Sequence, residues 1–110
     1  MKRSNSLRSR ERRRDLFARH FHSRERVDFI RSLPCEVTGI EGQSHNAHTK
    51  SRGSGGTFEH ICPMSFRAHR DFDEMPAAVF EKKYQRTKQS VKDRAEYYHQ
   101  LWEGHRGSQE

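Results

Sequence analysis

Apolar residues are sparse in this chain, and where they fall sets its elements. Leu16, Phe17, His20 and Phe21 form one stripe, and Val27, Ile30 and Leu33 a second, at spacings of three and four residues that gather them on one face of a helix. No Gly or Pro interrupts residues 9–33, so this stretch is predicted helical, with a break near His22–Ser23. Pro34 ends it, because the residue before a proline is pushed out of the helical region. Residues 1–8, MKRSNSLR, read as a disordered basic tail.

Residues 35–62 are short of apolar side chains and rich in Gly, Ser and Thr, which suits turns and two short strands. The run SRGSGGT, with Gly53, Gly55 and Gly56, cannot be helix. It either bends tightly or lets backbone come close to a partner. Pro63–Ser65 reads as the approach to a helix from about Phe66 to Phe72, and the chain restarts at Met75–Pro76. Phe80, Tyr84, Val91, Ala95, Tyr98 and Trp102 then follow spacings of four, seven, four, three and four. That stripe predicts one long helix used for packing, in the core or in a dimer, with Gly104 stopping it. The expected class is α+β: a short hairpin plus helix (34–75) between a basic helical arm (9–33) and a long amphipathic helix (76–103), with 104–110 as a tail.

Composition sharpens this picture. Apolar residues are only 30% of the 110, a thin core for a domain that size. Cys35 and Cys62 make no disulfide framework, no hydrophobic signal segment precedes them, and no apolar run is long enough to span a membrane. A soluble cytoplasmic protein is the expectation. The net charge of +7 lies wholly in residues 1–34, which hold 11 Lys/Arg against 4 Asp/Glu. Arginine dominates there, and its planar fork suits phosphate oxygens. Arg12, Arg13 and Arg14 are therefore candidate contacts to a nucleic-acid backbone.

The chemistry concentrates between Pro34 and Asp73. His45, His48, His60 and His69 fall on both sides of the glycine run. His69 and Asp73, four apart, share one face of a helix and could chelate one ion. His60 lies nine residues before His69, close enough to complete a three-ligand set. His48 is left free as a general base, a role that imidazole suits near neutral pH. Lys50, Arg52, Arg67 and Arg70 flank these residues where phosphates would lie. His45 is a further candidate ligand without fixed geometry.

In order and spacing, Pro34-Cys35, Ala47-His48, the Gly53-Ser54-Gly55-Gly56 loop and Pro63-Met64-Ser65 leading into a helix resemble the HNH, or ββα-metal, endonucleases. The likeness is to small phage and prophage members and covers about forty residues. It implies His48 as general base, His60 as a metal-linked or base-orienting residue, and His69 and Asp73 as ligands of one divalent ion (Mg²⁺, Mn²⁺, Zn²⁺ or Ni²⁺). Two features depart from the family. Ala47 stands where many relatives carry a ligand. The positions of their structural zinc read Cys35, Thr38, Ser65 and Ala68, so a second zinc is not expected and helix packing must replace it. Cys62 reads as a small buried residue. The resulting expectation is a DNA endonuclease acting on duplex or branched DNA; a branched substrate calls for a homodimer through the Phe80–Trp102 stripe. The competing reading is a non-catalytic DNA-binding module with a structural zinc held by the His/Asp cluster. An RNA-binding role ranks last, for want of an aromatic stacking platform.

Overall fold

Five α-helices and one antiparallel hairpin form an α+β architecture, seen in a computed structural model that describes residues 2–108, with side chains from Arg8 onward. Met1, Gln109 and Glu110, the outermost parts of the two predicted tails, lie outside the described residues. In chain order the elements are α1 (Lys2–Phe21), α2 (Arg24–Arg31), β1 (Ser44–His48), β2 (Ile61–Ser65), α3 (Phe66–Glu74), α4 (Ala77–Tyr84) and α5 (Lys88–Ser108).

Helix α1 begins at Lys2, so most of the predicted disordered tail is helical. Nothing between Lys2 and Phe21 breaks a helix, and Arg and Leu favour one. The break expected near His22–Ser23 is present: His22 turns the chain at φ 70. The Ser23 hydroxyl then caps α2 by accepting from the Arg26 N–H at 3.2 Å.

β1 and β2 pair with His48 opposite Ile61, Ala47 opposite Cys62 and Asn46 opposite Pro63. Pro63 has no N–H to offer on the outer edge, but its carbonyl accepts from Glu36 N at 2.8 Å. A lone hairpin is marginal in water; here α2 packs on β1, and α3 and α5 pack on β2. Ile30, Ala47, Ile61, Met64, Phe80 and Val91 are fully buried between these layers.

The long C-terminal helix is two helices. Gln85 takes a left-handed conformation at φ 58, and Thr87 Oγ1 accepts from Ser90 N at 3.0 Å to start α5. The predicted stripe spans both: Phe80, Val91, Ala95, Tyr98 and Trp102 are buried and Tyr84 is half-buried. These side chains are spent within this chain's own fold, so the dimer face drawn from that stripe is not exposed. α5 continues through Gly104 and Gly107 to Ser108, because each Gly costs a helix only about 1 kcal/mol.

The positions matched to a structural zinc do converge, and hydrogen bonds join them. Cys35 Sγ accepts from Thr38 N at 3.4 Å, its thiol lies 3.9 Å from Ser65 Oγ, and Ser65 Oγ accepts from Ala68 N at 3.3 Å. The neighbouring Glu36 carboxylate, 8% exposed, supplies the brace. It accepts from Arg86 Nη1 at 2.5 Å, from Arg94 Nε at 3.0 Å and from the Tyr98 hydroxyl. Cys62 is buried with its thiol directed at Val91 O, and burial pushes its pKa up to about 12. No helix among the described residues is long and apolar enough to cross a membrane.

Candidate active site

The turn between the strands is shaped by two glycines. Gly55 sits at φ 91, and a Cβ on Gly56 would lie 2.0 Å from the Lys50 carbonyl oxygen. The predicted close backbone approach is thus at Gly56. Gly56 also meets α1, since its carbonyl accepts from His20 Nδ1 at 3.1 Å.

His48 ends β1 beside this turn. Its Nε2 lies 2.8 Å from the backbone oxygen of His20. That oxygen is among the last carbonyls of α1, which a helix leaves without internal partners. A carbonyl only accepts, so His48 Nε2 carries the proton and Nδ1 holds the lone pair. Burial pushes the His48 pKa below its ordinary value, outweighing the hydrogen bond to His20; the Arg52, His20 and His69 charges lower it further.

His69 and Asp73 project from one face of α3, with His69 Nε2 at 3.1 Å from Asp73 Oδ2. On the other side of the ring, His69 Nδ1 lies 2.8 Å from His45 Nε2. His45 therefore orients His69. Its own pKa is lowered by burial first, then by His69 and Arg31.

One open cavity of about 630 Å³ joins these parts. His48 and Asn46 line it from β1, His69 and Asp73 from α3, and Arg52, Lys88 and Lys92 complete the lining, the Lys88 ammonium donating to the Met75 carbonyl. Asn46 Nδ2 donates to Val27 O at 3.1 Å, which leaves Asn46 Oδ1 buried without a partner among the described residues.

His60 is not part of this group. Its Nδ1 accepts from Thr57 N at 3.0 Å, capping a short turn, while its carbonyl accepts from Thr49 N at 2.7 Å. Its ring lines an adjacent cavity with Asp93, Glu96 and His99. Strand-end geometry spends this ring on the turn instead of on α3. Of the basic candidates, Arg52 is in the cavity, with its guanidinium 5.1 Å from the centre of the Phe21 ring. Lys50, Arg67 and Arg70 are exposed nearby on the turn and α3, and Arg12, Arg13 and Arg14 are exposed along α1.

No family model, curated protein or solved structure matches this chain.

Nor do three His, Cys, Asp or Glu side chains among the described residues form a group that could hold a metal ion. The donors that fit a cation are fewer. Two ligands bonded at about 2.1 Å to one ion stand about 3 Å apart, and the His69–Asp73 separation of 3.1 Å matches that bite. Asn46 lines the same cavity, and its amide oxygen is buried without a partner among the described residues. Such a nitrogen and oxygen set suits divalent cations from Mg²⁺ to Zn²⁺ and leaves positions for water and phosphate.

Sequence reasoning missed His20, Asn46, Lys88 and Lys92. Asn46 stands two residues before His48 on the same strand face, which was a usable signal. The lysines come from a helix whose docking no local pattern encodes.

Proposed function

We propose that this chain is a metal-dependent DNA endonuclease of the HNH, or ββα-metal, type. One observation carries the reading: His48 and the His69–Asp73 pair line the same cavity, together with Arg52, Lys88 and Lys92. The order hairpin, glycine turn, helix supports it, as does the basic α1 that ends beside His48.

In this reading His48 Nδ1 takes the proton from the attacking water. The depressed pKa keeps that nitrogen unprotonated at neutral pH, and the His20 carbonyl fixes the ring. Arg52, Lys88 and Lys92 hold the non-bridging phosphate oxygens and offset the charge that grows on them. Held by His69 and Asp73, one divalent cation would supply Lewis-acid stabilisation at the phosphate and the departing 3′ oxygen. His45 keeps His69 oriented through its other ring nitrogen. The arm from Arg8 to Arg19 supplies affinity without sequence preference.

Plasmid nicking tests this, with wild type, His48→Ala and Asp73→Asn compared in EDTA, Mg²⁺, Mn²⁺, Zn²⁺ and Ni²⁺. The expected result is metal-dependent nicking by wild type alone, with all three proteins folded and binding DNA. Retardation of DNA without cutting in any metal would instead assign the cluster to a DNA-binding module.

A further inference from the structure

Phe66 is the first residue of α3 and the most exposed large apolar side chain among the described residues, at 72%. A phenyl ring left in water on a chain so short of apolar residues is a cost that the fold does not recover. Phe66 lines a groove of about 490 Å³, and its ring is in edge contact with the ring of His45, which in turn meets His69. Ile40, itself 47% exposed, and Tyr84 form the groove's other apolar surfaces, and Thr38, Gln43 and Ser65 add polar groups. Tyr84 is held rigidly, because its hydroxyl donates to the buried Asp71 carboxylate, which also pairs with Lys83 at 2.7 Å. The Gln43 amide makes no hydrogen bond among the described residues and lines the groove.

From these contacts we infer that the Phe66 groove is a binding site for one unpaired nucleobase of the DNA strand held at the His48–His69 cavity. Three observations select that occupant. Charge is complementary, because Arg67 lies beside Phe66 in the groove and would meet the phosphate of a nucleotide seated there. The shape suits one stacked base, not the multi-ring platform that the sequence lacks: an exposed aromatic ring with the Gln43 side chain lining the same groove. The position is right as well. The His45 ring lies 6.4 Å from the Phe66 ring and 5.0 Å from the His69 ring, centre to centre. The groove is therefore within reach of nucleotides flanking a phosphate at His69. A base in an intact duplex is stacked and cannot enter, so the site favours DNA with a bulge, gap, flap or single-stranded segment. This inference deepens the endonuclease reading by naming its substrate class, and it rests on that reading for the strand's placement.

The test separates the two. Binding is measured in EDTA by anisotropy, so no cleavage is required, using perfect duplex and the same duplex with a single-nucleotide bulge of 2-aminopurine. Stacking is read from 2-aminopurine fluorescence. Wild type should bind the bulged DNA more tightly and quench its probe. Phe66→Ala should lose about 5- to 100-fold of that affinity, the worth of one stacked base, with duplex binding unchanged; Phe66→Trp should retain it. Equal affinity for the two DNAs, or quenching that survives Phe66→Ala, overturns the nucleobase site even if plasmid is nicked. Phe66-dependent quenching by a protein that never cuts keeps the nucleobase site and removes the endonuclease reading.

Discussion

The proton on His48 Nε2 is directed at the backbone oxygen of His20, 2.8 Å away, so the basic helix ends on the proposed catalytic base. The ring cannot turn without giving up that bond, and only Nδ1 is left to accept a proton.

This arrangement fixes the pH dependence. Burial lowers the pKa of His48, and the same cause leads for His45 and His22. Cleavage should rise with pH only through the acid limb below the ordinary imidazole value of about 6.5 and be flat above it. A kcat/KM profile still climbing above neutrality would remove His48 as the base. Stability carries the same sign. A folded-state pKa below the unfolded one means that the unfolded chain binds more protons on acidification. The stabilising contribution is therefore complete above about pH 6.5 and lost as pH falls from there toward the folded pKa values. Urea midpoints at neutral pH and near pH 5.5 should show the drop, smaller in His48→Gln.

Arg12, Arg13 and Arg14 are exposed on α1, away from the cavity. Changing all three to Gln should weaken DNA binding without altering single-turnover cleavage of bound substrate. Each arginine that no longer neutralises a phosphate should lower the slope of log affinity against log salt by about 0.9. An unchanged slope would take the arm off the DNA.

Gly56→Ala should act on both stability and activity. The added carbon would meet the Lys50 carbonyl oxygen at 2.0 Å, a backbone atom that cannot swing aside. A cost of about 1–3 kcal/mol is expected, with a loss of nicking because the Gly56 carbonyl is bound by His20. Gly53→Ala is the control, since its Cβ would meet nothing within 4 Å.

How much was legible in the chain follows from which forces are local. The stripe from Phe80 to Trp102 was readable because its members share the helical period and are buried together. The break inside it was not, because Gln85 is no helix breaker; Arg86 is instead tied to the Glu36 carboxylate and carbonyl, fifty residues earlier. His69 and Asp73 were readable as a pair from their spacing of four. His60 looked equivalent in sequence, yet its ring accepts from Thr57 N and faces another cavity. Lys88 and Lys92 reach the site only because α5 docks on β2, a tertiary event with no local signature.

Arg26 offers a test with the opposite sign. It is fully buried, and its three guanidinium nitrogens have no hydrogen-bond partner among the described residues. Burial pulls its pKa down to about 10, against the opposing pull of Glu103 and Glu59. The guanidinium lies 5.3 Å from the centre of the Phe58 ring, an attraction worth about 0.5–2 kcal/mol. The desolvation of an unpaired charge costs more. Arg26→Met, which keeps the stem and removes the charge, should raise the unfolding free energy by about 1 kcal/mol or more, read from urea denaturation. A loss of stability would mean that the cation–π attraction dominates.

The Glu36 clamp also orders events in time. Its partners Arg86, Arg94 and Tyr98 lie 50, 58 and 62 residues further along the chain. On the ribosome, the hairpin and α3 would emerge well before anything exists to hold the loop that starts them. The loop before β1 would therefore gain its clamp only once α5 has left the exit tunnel, so a stalled or prematurely ended chain carries His48, His69 and Asp73 without it.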